Sequence, residues 1–179
     1  MKSVGIVRRL DSVGRFVIPI ELRQALHLDP RGDVEILVGD QGEIILRKHT
    51  TLKDAEGMAQ ACAEGLHETV GGIVVITDRD AVVTVVGAHA NVRGQPVGPA
   101  LDAVMGAMVG PQAKWCTDVL TGLGRCVVAP IFVGGNMAGT IIIGAGAGGS
   151  TMSDADARLV EAVARILGRV VGWAGGGWV

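Results

Sequence analysis

Four arginines near the start of the chain, Arg8, Arg9, Arg15 and Arg23, are the residues whose type and spacing best suit a chemical task. A guanidinium is planar, permanently charged and forked, so it can grip phosphate oxygens or the O6 and N7 edge of guanine with two bonds at once. Any one exposed arginine is ordinary solvated charge. As a group the four come from three local elements, a strand end, a turn and a helix, and a second copy of the chain would double the patch. The whole chain of 179 residues carries a net charge of −2, yet the distribution is uneven. Residues 1–25 hold five Lys or Arg against two Asp or Glu, residues 1–53 hold nine against seven, and residues 54–179 hold seven against eleven. Positive potential therefore sits at one end of the chain, where it would attract a polyanion.

Other reactive types are sparser. Cys62, Cys116 and Cys126 are odd in number and show no CxxC spacing, and His27, His49, His67 and His89 form no metal-ligand pair, so neither a disulfide framework nor a metal site is expected. Cys116 and Cys126 fall on neighbouring predicted strands, where they would support thiol chemistry only if one had a depressed pKa; buried cysteines acting as small apolar residues are commoner. Met105 and Met108 fit a core-facing helix stripe. Gly144, Gly146 and Gly149 spell GxGxxG after a strand, but the chain ends before the second parallel strand that a dinucleotide site needs, so a flexible loop is the better reading and no cofactor is expected. No nucleophile and base are spaced as a catalytic pair. The stretch from Arg125 to Asp154 holds no charge between its ends, yet Pro130, Gly134, Gly135, Asn136 and Gly139 cut it into strand-length pieces, which predicts a buried hairpin with a Gly-Gly-Asn turn and no membrane span. The N-terminus lacks the apolar run of a secretory signal, so a cytoplasmic location is expected.

The elements that must position these residues follow from periodicity. Val4, Ile6 and Arg8 alternate as a strand, Asp11 to Gly14 reads as a turn, and Phe16 to Ile18 as a second short strand. Pro19 suits the first position of a helix over Ile20 to Leu28, and Val34, Ile36 and Val38, a turn at Asp40 to Gly42 and the run Glu43 to Arg47 form a β-hairpin. Four short strands and one helix cannot cover both faces of a sheet, so this module is expected to share its core with a second copy. Thr51 and Asp54 have capping-box form and open a helix whose stripe at Leu52, Ala55, Ala59, Cys62 and Leu66 suits either a dimer mate or the following domain. From Gly71 onward the order is strands at Ile73–Thr77 and Val82–Val86, a helix near Pro99–Val109, strands near Trp115–Val119, Cys126–Val133 and Ala138–Ile143, and a final helix capped by Ser153. That order predicts an α+β chain with an antiparallel sheet flanked by helices. The expected division is 1–53 as a basic module, 54–70 as a linking or dimerisation helix, and 71–179 as a sensor-like domain.

The run Gly5-Ile-Val-Arg-Arg-Leu-Asp-Ser-Val-Gly-Arg-Phe-Val-Ile-Pro-Ile-Glu-Leu-Arg23, followed by the hairpin from Val34 to Lys48, closely resembles the AbrB-type transition-state regulators. The resemblance implies two chains interlocked as a swapped-hairpin β-barrel, with Arg8, Arg15 and Arg23 facing promoter DNA and Arg9 beside them. That family often has a second basic residue after the helix arginine; here the position is Gln24, which bears on affinity and sequence preference. The layout as a whole is similar to sporulation regulators that join this module to a C-terminal GAF domain. It implies a DNA-binding transcriptional regulator of sporulation genes, a homotetramer built from dimers, and a GAF domain that takes an unidentified small molecule or a protein. Two other readings accompany the resemblance: antitoxins on the same barrel, which carry a disordered acidic tail where this chain has a domain, and GAF enzymes such as the free methionine sulfoxide reductases, which use cysteines.

Overall fold

A computed structural model of the chain describes residues 6–26, 28, 30, 34–48, 51–87, 92–145 and 152–175. It divides into two compact units, Met1–His49 with Trp173–Val179, and Thr50–Gly172.

In the first unit Pro19 precedes α1 (Ile20–Ala25), where its missing N–H costs nothing because the first turn of a helix leaves its donors unpaired. The sequence predicts helix as far as Leu28. Regular helix ends at Ala25 instead, and the Leu28 amide donates back to the Arg23 carbonyl at 2.8 Å, closing the last turn ahead of Pro30. The expected hairpin forms from β1 (Val34–Val38) and β2 (Ile44–Lys48), pairing Val34 with Lys48 and Val38 with Ile44. Its turn closes through the Gly39 amide donating to the Glu43 carbonyl at 2.9 Å, and Gly42 supplies the positive φ of 83°. The other two expected strands do not appear among the described residues. Val4 lies outside the described residues, and residues 6–10 and 15–19 carry no strand ladder. The cause is visible on the surface: Val7, Val17 and Val38 are 88%, 79% and 78% exposed, and apart from Pro19 no apolar side chain among the described residues 6–48 is buried. A strand needs a neighbour for its amides and a cover for its apolar face, and among the described residues neither is present for these segments.

The second unit opens on the Thr51–Asp54 capping box. The Asp54 carboxylate accepts from the Thr51 amide and hydroxyl, both at 2.9 Å, and the Thr51 hydroxyl accepts from the Asp54 amide at 3.3 Å. Next comes α2 (Glu56–Val70), whose Ala59, Ala63 and Leu66 are buried in the core of this same unit, so its own sheet covers the stripe for which the sequence allowed two partners. Five antiparallel strands follow, β3 (Ile73–Asp78), β4 (Val82–Val86), β5 (Lys114–Thr117), β6 (Arg125–Val133) and β7 (Asn136–Gly144), in the order β4-β3-β7-β6-β5. Between β4 and β5 lies α3 (Pro99–Gly106), and α4 (Asp154–Gly175) ends the fold.

Side chains along the central strands alternate between two cores. Val74, Ile76, Val127, Ala129, Ile141 and Ile143 face the layer made by α2 and α4, while Val75, Val128 and Ile142 face Leu101, Met105 and Met108 on the α3 side. Burial on both faces explains why these strands read as unbroken apolar runs. It also resolves the charge-free stretch: β6 and β7 are its two halves, joined at Gly134 and Gly135 with φ of 59° and 88°, a two-residue turn with both central residues left-handed. Gly146 and Gly149 of the GxGxxG lie outside the described residues. No described helix is long and apolar enough to cross a membrane. The buried hydroxyls of Thr77 and Thr140, paired across β3 and β7, satisfy each other through a 2.8 Å hydrogen bond.

The start of α4 repeats the box of residue 51. The Asp156 carboxylate accepts from the Ser153 amide at 2.7 Å and hydroxyl at 2.8 Å, and these bonds hold its carboxyl below the usual carboxylate range. Val160, Ala164, Leu167 and Val171 form the buried face. At Gly168 the helix comes so close to the sheet that a β-carbon would overlap the Phe132 carbonyl oxygen, at 2.2 Å. Gly168→Ala should therefore destabilise this unit by about 1–3 kcal/mol, even though alanine favours helix by about 1 kcal/mol over glycine. Denaturant unfolding checks it, and a variant as stable as the parent would mean that α4 can lift off at no cost.

Candidate nucleic-acid interface

The four arginines are carried by the first unit, and all are exposed. Arg8 and Arg9 lie on segment 6–10, which has no regular structure, Arg15 follows a turn, and Arg23 occupies the last turn of α1. Gln24 is its exposed neighbour. Arg8 Nη1 donates locally to the Val7 carbonyl at 3.3 Å.

Arg15 is held far more closely, and by a residue that charge counting set against it. Asp11 Oδ1 accepts from the Val13 amide at 3.0 Å and the Arg15 amide at 2.8 Å, while Asp11 Oδ2 accepts from Arg15 Nε at 2.9 Å. The main chain closes the same turn: Asp11 N–H donates to the Arg15 carbonyl at 2.9 Å, Gly14 N–H donates to the Asp11 carbonyl at 3.1 Å, and Gly14 takes φ 81°. The Arg15 amide, then the guanidinium and the Val13 amide, hold the Asp11 carboxyl below the usual carboxylate range. The Arg15 side chain stays 80% exposed with its Nε bonded. Sequence reasoning read a turn here and missed its organiser; the signal was an Asp two residues before Val13, three before a Gly and four before an Arg, the spacing of an Asx turn.

The second unit offers two further groups. Cys116 and Cys126 lie directly opposite each other on β5 and β6, with Cys126 Sγ donating to the Cys116 carbonyl at 3.6 Å. Burial pushes the Cys126 thiol up to about 11, and burial raises Cys116 and Cys62 as well, the reverse of what a nucleophilic cysteine needs. The second group is an open pocket of about 370 Å³ lined by Glu56, Gly57, Gln60, Val85 and Arg93. Arg93 is ion-paired with Glu56, and the Thr84 hydroxyl donates to Gln60 Oε1. Among the described residues no cluster of His, Cys, Asp and Glu could hold a metal ion.

Comparison with known proteins bears on both units. Residues 54–172 match the family described as "Stage V sporulation protein T C-terminal, transcription factor". Stage V sporulation protein T of Bacillus subtilis is 30% identical over 177 residues, 94% of this chain and 98% of that protein. The transition state regulatory protein AbrB of the same organism is 38% identical over 81 residues, 45% of this chain and 82% of the relative. Among solved structures, the GAF-B domain of DevS from Mycobacterium smegmatis superposes with a TM-score of 0.55 at 20% identity, over 66% of this chain and 94% of that one. At that identity the likeness shows the fold alone, and the fold of the second unit is GAF. An exposed basic segment similar to AbrB joined to a GAF domain defines a DNA-binding transcription regulator. The sequence likeness runs through both parts and not through one alone. The chain belongs to the stage V sporulation protein T family.

Proposed function

We propose that the chain regulates sporulation-specific transcription from the cytoplasm, binding promoter DNA as an interlocked swapped-hairpin dimer through Arg8, Arg9, Arg15 and Arg23. The observation that carries this reading is the state of the described residues of 6–48: exposed arginines share a short segment with exposed apolar side chains. Burying a Val, Leu, Ile or Phe side chain stabilises by about 1.5–3 kcal/mol, so a second copy that covered several would decide whether the module folds. Residues 1–53 act as that module. The GAF unit then joins dimers into tetramers; Leu159 and Ile166, one heptad apart on α4, remain exposed and would meet another copy. The pocket at Glu56, Gln60 and Arg93 is the candidate for a small polar ligand, and its volume falls in the usual range for such sites. Burial raises all three thiols, which favours a sensing or assembling GAF unit over a thiol enzyme.

A genome-wide map of bound sites tests the proposal. Enrichment at promoters of sporulation genes is expected, and sites scattered without regard to promoters would remove the regulatory role.

A further inference from the structure

Resting on the reading that Arg15 contacts DNA, we propose that Asp11 is the positioning residue for that contact. Its carboxylate does two jobs at once. Oδ1 gathers the Val13 and Arg15 amides and so shapes the turn, and Oδ2 takes Arg15 Nε, which fixes the plane of the guanidinium while leaving its two terminal nitrogens for the duplex.

A carboxylate this close to a DNA-facing cation is unfavourable on charge alone. It repels phosphate, and its removal would raise the net charge of the basic segment by one. The geometry argues for the opposite outcome. A free arginine side chain must be ordered when it binds, and that ordering lowers affinity. Asp11 orders it beforehand, from a turn whose main-chain bonds and left-handed Gly14 already fix the carboxylate's position. A carboxylate bonded to one edge of a guanidinium leaves the opposite edge free for a phosphate or a guanine, so the pairing selects a direction of approach.

The test uses the full chain and a fluorescently labelled promoter duplex, read by anisotropy at several salt concentrations, with circular dichroism and sedimentation to confirm fold and assembly. Asp11→Ala is expected to weaken binding about tenfold although it removes a negative charge, in line with the loss of a charge-assisted bond. Asp11→Asn keeps an oxygen for the two amides but presents an amide donor to Arg15 Nε, so it should also weaken binding, by a smaller factor. In an Arg15→Ala background the sign should reverse: with no guanidinium to orient, Asp11→Ala should leave affinity unchanged or raise it. Unchanged or tighter binding by Asp11→Ala in the parent chain overturns the proposal, since charge then outweighs orientation. Equal weakening in both backgrounds also overturns it, because Asp11 would then support the fold without acting through Arg15. Should Arg15→Ala alone bind like the parent, the DNA-contact reading of Arg15 falls, and the role of Asp11 falls with it.

Discussion

Replacing Arg15 or Arg23 by alanine is expected to weaken promoter binding by roughly ten- to a hundredfold, because each base-reading arginine contributes about 1–3 kcal/mol. Both side chains are exposed, so circular dichroism should show an unchanged fold. Contacts to phosphate leave a second signature, since each contributes about −0.9 to the slope of log affinity against log salt and a dimer repeats every contact. Loss of one phosphate contact per chain should therefore flatten the slope by about 1.8. Arg79, exposed between β3 and β4 in the GAF unit, is the control, and Arg79→Ala should leave both affinity and slope as they were. Parental affinity in folded Arg15→Ala and Arg23→Ala proteins would move the DNA surface to another part of the chain.

The second large effect concerns assembly. A fragment of residues 1–53 should fold only as a dimer, because Val7, Phe16, Val17, Ile36, Val38 and Ile44 are exposed in one copy. Folding coupled to association makes stability depend on concentration, and each tenfold dilution should cost about 1.4 kcal/mol. Thermal unfolding at a series of concentrations and equilibrium sedimentation measure it together. A folded monomer at low micromolar concentration, with a midpoint independent of dilution, would end the interlocked reading.

Much of the GAF unit was legible because its signals are local. Gly134-Gly135 marks the hairpin turn, Ser153 with Asp156 marks the start of α4, and Pro99 marks α3. The apolar spacing of α2 was equally clear, but spacing names a face and not its partner, and only packing showed Ala59, Ala63 and Leu66 against the sheet. Around Val7 and Val17 the sequence has strand character while the described residues form no strand there, since pairing depends on groups that lie elsewhere. The arginines could be picked out by type. Asp11 could not, because its part is set by a turn that brings two amides and a guanidinium to one carboxylate. Cys116 and Cys126 were expected on neighbouring strands and lie face to face, but the protonation that decides their chemistry comes from burial, which spacing does not report.

The burial of those thiols also bears on their oxidation. Disulfide exchange and oxidation begin from thiolate, and a thiol with a pKa of about 11 is ionised in only about one molecule in ten thousand at neutral pH. Cys62 and Cys116 are shifted in the same direction. Burial thus disfavours the thiolate at Cys62, Cys116 and Cys126 alike, and with it the first step of exchange or oxidation at each of the three.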